Sequence, residues 1–314
     1  MKTIAFWENE LCERGTSIAL FDYAHFNETI LHNKSIVIYR RSQSNDNESV
    51  IRKFASRFPL FAIDSISEVD PILESNSCDL LYVIKSGEYD GRISRKVKTV
   101  VHCVFNMFSP HGHVYAAVSP YVKRPPTVPA IVVPHMVHLP DHNRNLRERL
   151  GIPTEAVVYG RHGGYAQFDI PFVQKTVANV ASKHPNIYFL FMNTRPFTEN
   201  IPNILYLDKE IDLDKKVEFI NTCDAMIWGR SDGETFGLSI AEFSIKNKPV
   251  FAMKIGEPAH VYLLGNKGIW YNTSNLYRML ATFSKQHAQT MDWNAFREYT
   301  PEKVMKTFNE VFIQ

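Results

Sequence analysis

The chain reads as an α/β protein built on parallel sheets covered on both faces, and three observations say so. Strand-length apolar runs alternate with helix-period patterns from one end to the other. The runs are continuously apolar, as in strands that are buried on both sides. The 314 residues suffice for about two domains, and a proline cluster, Lys123-Arg-Pro-Pro-Thr-Val-Pro129, divides the pattern.

The elements follow in order. Before the proline cluster, strands are expected over residues 3–6, 35–39, 60–63, 80–84, 99–101 and 114–118. After it they are expected over 131–133, 157–159, 187–192, 204–207, 225–228, 250–253 and 269–271. Helical periodicity covers 16–31, 50–57, 168–183, 213–221 and 276–286, and a further helix starts near Phe236. Residues 42–49 read as a polar loop. Three prolines within seven residues fit neither regular element, so the domains are drawn at 1–125 and 130–297. A last helix over 301–313 opens on a proline and carries Val304, Phe308 and Val311 on one face.

Composition narrows the function. The hydrophobic share of 45% and charged share of 22% are those of a globular protein, and a net charge of +2 gives no argument for nucleic acid. No apolar run approaches the roughly 20 residues that span a bilayer. The N-terminus reaches charge too early for a signal peptide. Cys12, Cys78, Cys103 and Cys223 have no metal spacing and read as small buried thiols. A reduced, cytoplasmic protein is expected.

The most informative segment is Glu234-Thr-Phe-Gly-Leu-Ser-Ile-Ala-Glu242, after a strand candidate at 225–228 and a polar loop, Gly229-Arg-Ser-Asp-Gly233. A helix starting near Phe236 would aim its first amides at whatever lies above the strand end, an anion site of backbone and dipole. Gly237 admits close backbone approach. Glu242, just over a turn beyond Leu238, can reach hydroxyls of the same ligand. Amides for phosphate beside carboxylates for hydroxyls suggest a nucleotide-sugar site. The bland alternative is an amphipathic helix with its glutamates in water.

This segment resembles the Glu-x7-Glu signature of retaining glycosyltransferases of family 4, which have the two-Rossmann-domain GT-B fold. Cys223-Asp224-Ala225 and Lys248-Pro249-Val250 extend the match. Arg230 stands where the family has proline, Thr235 where it has glycine, and Asn247 where it has the glycine of a helix C-cap, for which asparagine is the next choice. The resemblance implies two Rossmann-like domains facing across a cleft, with the last helix, 298–314, crossing back to the N-terminal domain. It implies transfer of a sugar from a nucleotide-sugar donor to a glycan or other acceptor, with retained configuration, no cofactor and no metal.

Residue by residue, the resemblance puts Glu234 on the donor sugar, the Phe236, Gly237 and Leu238 backbone nearby, and Glu242 on the ribose. Gly160 and Arg161, in Tyr159-Gly-Arg-His-Gly-Gly164, match the loop that holds the donor diphosphate. The partner lysine is missing, with Tyr165, Ala166 and Gln167 in its region. Gly15 and Thr16 match the loop after the first strand, although Thr16 or Ser17 as a plain helix cap reads equally well. His102 matches a histidine that touches the donor sugar, and a core histidine is its alternative.

Three further patterns carry weaker signals. His111-Gly-His113 lacks further ligands and reads as a loop. Asp212-Leu-Asp214 resembles a metal motif but sits where aspartate caps a helix. The basic run from Arg92 to Lys98 reads as a solvated edge, with peripheral contact to an anionic membrane or an acceptor as its alternative. Two rival functions stay open: a nucleotide-sugar 2-epimerase, and a degenerate transferase fold that only binds sugar or protein.

Overall fold

The computed structural model describes residues 1–41 and 46–314, so the first four positions of the expected polar loop at 42–49 lie outside the described residues. The chain divides into two compact units, Met1–Met136 with Glu298–Gln314, and Val137–Arg297.

In the first unit the order is β1 (Thr3–Glu8), α1 (Gly15–Thr29), β2 (Lys34–Arg40), α2 (Glu48–Ala55), β3 (Leu60–Ile63), α3 (Val69–Ser75), β4 (Leu80–Lys85), β5 (Lys98–Cys103) and β6 (Val114–Ala117). The six strands form one parallel sheet in the order β3-β2-β1-β4-β5-β6. Trp7, Ile38, Leu81 and Val83 form part of the core on one face, as the continuous apolar strands require. Helix α3 is not in the sequence-based expectation. It follows a capping box, in which Ser65 and Glu68 satisfy each other's backbone amides.

The second unit runs β7 (Val157–His162), α4 (Pro171–Lys183), β8 (Ile187–Met192), β9 (Ile204–Leu207), α5 (Leu213–Thr222), β10 (Ala225–Ile227), β11 (Gly233–Glu234), α6 (Leu238–Ile245), β12 (Val250–Ala252), β13 (Glu257–Pro258), α7 (Ala259–Leu264), β14 (Gly268–Trp270), α8 (Leu276–Ala281) and α9 (Lys285–Gln289). Its main sheet is again six parallel strands, in the order β14-β12-β10-β7-β8-β9. Counted from each unit's own first strand, both sheets have the order 3-2-1-4-5-6 of the doubly wound nucleotide-binding fold. A single helix was expected over 276–286. It breaks at Ser284, whose side chain accepts from the His287 amide and starts α9.

The last helix, α10 (Pro301–Phe308), continues as one π-helical stretch, Asn309–Ile313, and belongs to the first unit, as expected. Phe308 stacks on Tyr23 at 5.2 Å, and Lys2 Nζ donates to the Ile313 carbonyl at 2.9 Å.

The proline cluster is not the boundary. The chain beyond it stays with the first unit, where Val132 bridges to Ala117 and the Val133 amide donates to the Ala117 carbonyl at 3.0 Å. Residues 131–133 were expected to be a strand of the second domain. They extend the open edge of the first sheet, because that edge has unpaired backbone groups to offer.

Candidate active site

In a doubly wound sheet, ligands bind beyond the carboxyl ends of the strands, where the order reverses. In the second unit that point lies between β7 and β10. Arg161 leaves the end of β7 and is 4% exposed. Its Nη1 donates to Thr194 Oγ1 at 2.6 Å and to the Asn193 carbonyl at 3.3 Å, and its Nη2 to the Gly164 carbonyl at 2.9 Å. A guanidinium has five N–H donors, so Nε–H and one Nη2–H remain after these three bonds. Burial pushes its pKa down to about 10, against the pull of Glu234. Arg161 is therefore charged at neutral pH and bonded to neutral acceptors.

The loop after β10 lies beside it. The Asp169 amide donates to the Gly229 carbonyl at 3.0 Å, and the Asp169 carboxylate accepts from Ser231 N at 2.8 Å and Ser231 Oγ at 2.7 Å. The segment that follows β7 and the loop that carries Arg230 are thus tied together. Gly233 takes φ 74, and a Cβ there would lie 2.2 Å from the Glu257 amide, so only glycine lets β11 pair with β13.

That pairing aims Glu234. Its Oε1 accepts from Trp228 Nε1 at 3.0 Å and its Oε2 from Arg230 Nη1 at 3.1 Å. Trp228 is itself stacked on His260, with centroids 4.5 Å apart. The carboxylate is nine-tenths covered, and both its oxygens are oriented before any ligand arrives.

Helix α6 begins at Leu238, two residues later than expected, because Gly237 is its N-cap in the left-handed region, φ 93 and ψ 62. No side chain caps it, so its first amides remain for a ligand. At the far end Asn247 takes φ 55, the left-handed cap expected of it.

Glu242 lies inside the unit, with Oε1 2.9 Å from Lys216 Nζ and Oε2 3.0 Å from His162 Nε2. Burial raises a carboxyl, but Lys216 and His162 together outweigh it and hold Glu242 at about 2. Burial lowers the His162 pKa, and the Glu242 charge beside it opposes that shift. The bland alternative of a glutamate facing water does not hold for Glu242, which is 5% exposed. Neither Lys216 nor His162 was singled out in the sequence for this contact, since Lys216 comes from α5 and His162 from the end of β7.

The structure gives the other expected site residues these surroundings. Gly160 lies within β7, where a Cβ would meet Cys223 Sγ at 2.2 Å, so packing alone requires glycine there. The Phe236 ring is 2% exposed and meets Phe296 edge-on, so only its backbone can face the site. His102 is fully buried in the first unit, with Nδ1 2.6 Å from Tyr82 Oη and Nε2 2.7 Å from the Val133 carbonyl. Burial lowers its pKa to about 4. With both nitrogens engaged it is a core histidine, the alternative that its apolar strand allowed.

Gly15 and Thr16 open α1, whose N-cap is Arg14 with no side-chain bond to the helix amides. Ser17 is not the cap. Its hydroxyl accepts from Cys12 N at 3.2 Å and donates to Glu8 Oε2 at 2.8 Å. Arg92 is not a solvated edge either: it is 7% exposed, bonds Asp90 at 2.6 Å and lies over Trp7. Asp212 caps α5 through its own side chain, as its sequence position suggested. Among the described residues no cluster of metal-binding side chains occurs, and no helix is long and apolar enough to cross a membrane.

With this geometry in view, similarity to solved structures defines the fold. The chain is similar to HepE of Anabaena, solved in complex with UDP-glucose, at TM-score 0.72 and 15% identity over 99% of each chain. It is similar to a glycosyltransferase of Rickettsia africae at TM-score 0.69 and 14% identity, over 99% of this chain and 97% of the other. WaaG, a glycosyltransferase involved in lipopolysaccharide biosynthesis, follows at 0.60 and 11%, over 98% and 99%. The fold is the α/β GT-B fold of glycosyltransferases. No family model and no curated protein matches the sequence.

Proposed function

We propose that this protein is a glycosyltransferase that moves a sugar from a nucleotide-sugar donor to a glycan or other acceptor, with retained configuration and without a metal. The observation that carries the reading is Arg161: a guanidinium buried at the switch point, bonded to neutral groups, with two N–H donors remaining. Such a cation, beside the uncapped start of α6, suits a diphosphate. The UDP-glucose held by HepE supports the donor class.

In this reading the C1–O bond of the donor breaks and its electron pair leaves on the diphosphate, whose growing charge Arg161 and the α6 amides stabilise. The acceptor oxygen bonds the same carbon on the same face, and its proton goes to the departing phosphate oxygen. No protein nucleophile takes part. Glu234, held by Trp228 and Arg230, receives sugar hydroxyls. Glu242 accepts from Lys216 through Oε1 and keeps its other lone pairs for ribose hydroxyls.

The test is a panel of nucleotide sugars, read first by thermal shift and then by donor hydrolysis and transfer with and without EDTA. One donor should raise the midpoint and be turned over in EDTA. Binding without turnover would favour a binding module, and turnover abolished by EDTA and rescued by Mn²⁺ would overturn metal independence. Conversion of the free donor without an acceptor would favour an epimerase.

A further inference from the structure

We propose that Arg230 is the second cation of the diphosphate site, taking the place of the lysine that residues 165–167 lack. The proposal rests on the nucleotide-sugar reading and names a residue that the sequence pattern does not supply, since the resemblance expects proline at this position.

Arg230 is unusual for a side chain with a structural role. Its side chain is 18% exposed, and its buried Nε–H has no hydrogen-bond partner among the described residues. Nη1 makes one good bond, to Glu234 Oε2. Nη2 has Asp232 at 3.7 Å, beyond hydrogen-bond range and on a side chain that is 74% exposed. Covering a guanidinium while leaving one of its N–H groups unmatched costs stability, and an apolar side chain of similar volume would avoid that cost. An unmatched buried donor in a crevice points to a ligand that completes it.

The neighbourhood says which ligand. Arg230 lies within electrostatic reach of Arg161 and disfavours its charge. Asp169 ties the segment after β7 to the Arg230 loop through Gly229 and Ser231, which holds the backbones that carry the two cations side by side. Among the described residues, Glu234 is the one carboxylate in hydrogen-bond range of Arg230, and Arg161 has no carboxylate partner. An anion with two charged groups would neutralise both arginines, and a guanidinium fork matches phosphate oxygens two at a time. Glu234 then orients Arg230 by holding Nη1 and leaves Nε and Nη2 for phosphate.

Calorimetric titrations of inorganic pyrophosphate, UDP and uridine into wild type, Arg230→Gln, Arg230→Lys and Glu234→Gln test this. Arg230→Gln should weaken UDP and pyrophosphate about 10- to 100-fold, the span of one charge-assisted contact, with uridine unchanged. Arg230→Lys should recover most of the loss, and Glu234→Gln should bind UDP at least as tightly as wild type. Removing Arg230 leaves the covered Glu234 with Trp228 as its remaining partner, so Arg230→Gln should unfold at a lower midpoint than wild type, and binding is read well below it. Arg230→Gln within about threefold of wild type for UDP would overturn the assignment. So would equal losses in Arg230→Gln and Glu234→Gln, which would reduce Arg230 to a support for Glu234. Wild type binding neither UDP nor pyrophosphate would instead bring down the nucleotide-sugar reading, and this inference with it.

Discussion

The two units share one strand order, yet the crevices at their switch points differ in how charge is handled. At the carboxyl ends of β1 and β4 the cations are matched by an acid: Lys85 and Arg92 both bond Asp90, and Lys85 also donates to the Glu88 carbonyl. Burial raises Glu8, next to them, to about 7, against the pull of Thr16 and Ser17. At the ends of β7 and β10, Arg161 bonds only uncharged groups, while Arg230 shares its one close carboxylate with Trp228. Topology decides where a crevice lies, and the side chains at the strand ends decide what it attracts. The second unit leaves guanidinium donors open at its strand ends, as the proposed diphosphate site requires, whereas the first matches its cations with Asp90.

The largest effect that would sharpen this contrast lies beneath the second crevice. Lys216→Ala leaves Glu242 buried with His162 as its remaining partner, and should cost about 3–5 kcal/mol of stability by urea unfolding. Replacing Lys216 and Glu242 together by Met and Leu should recover most of that loss. If it does not, the pair contributes more than mutual compensation.

Next in size, Arg161→Ala should raise the barrier to transfer by on the order of 2–4 kcal/mol, read as kcat/KM. A variant within threefold of wild type would break the comparison, because the anion would then be held elsewhere.

The first crevice has its own signature, of up to about 3 kcal/mol. Because Glu8 is raised when folded, its share of stability is intact below 4.5 and is lost as pH rises through about 7. Wild type should therefore lose stability between those pH values relative to Glu8→Gln. Parallel pH profiles for the two proteins would show that Glu8 is ionised at no cost.

The smallest effect concerns binding. Glu234→Gln should lower kcat while leaving nucleoside-diphosphate affinity near wild type, because its contact is to the sugar that changes during transfer. Loss of diphosphate binding in that variant would mean that Glu234 belongs to the phosphate side.

Much of the fold was legible because both sheets are buried on two faces. Apolar strands such as 60–63, 187–192 and 204–207 have no polar face to blur their limits. Asn247 was legible as a left-handed cap, because asparagine tolerates that backbone better than most residues. The break at Ser284 and the helix after Ser65 carried local signals, a serine cap and a capping box, that periodicity alone passes over.

Within the site, sequence determined what local chemistry can specify: the glycine cap of α6, the placement of Glu234 beside it, and Arg161 at a strand end. Tertiary structure alone decided what depends on contacts between distant segments. It closed both ring nitrogens of His102 with Tyr82 and Val133, filled the space over Gly160 with Cys223, and joined Glu242 to Lys216 and His162. It also tied the Arg230 loop to Asp169, 62 positions away from Ser231. Backbone conformation answers to the nearest few residues, whereas burial and charge pairing answer to neighbours that only the completed sheet brings together.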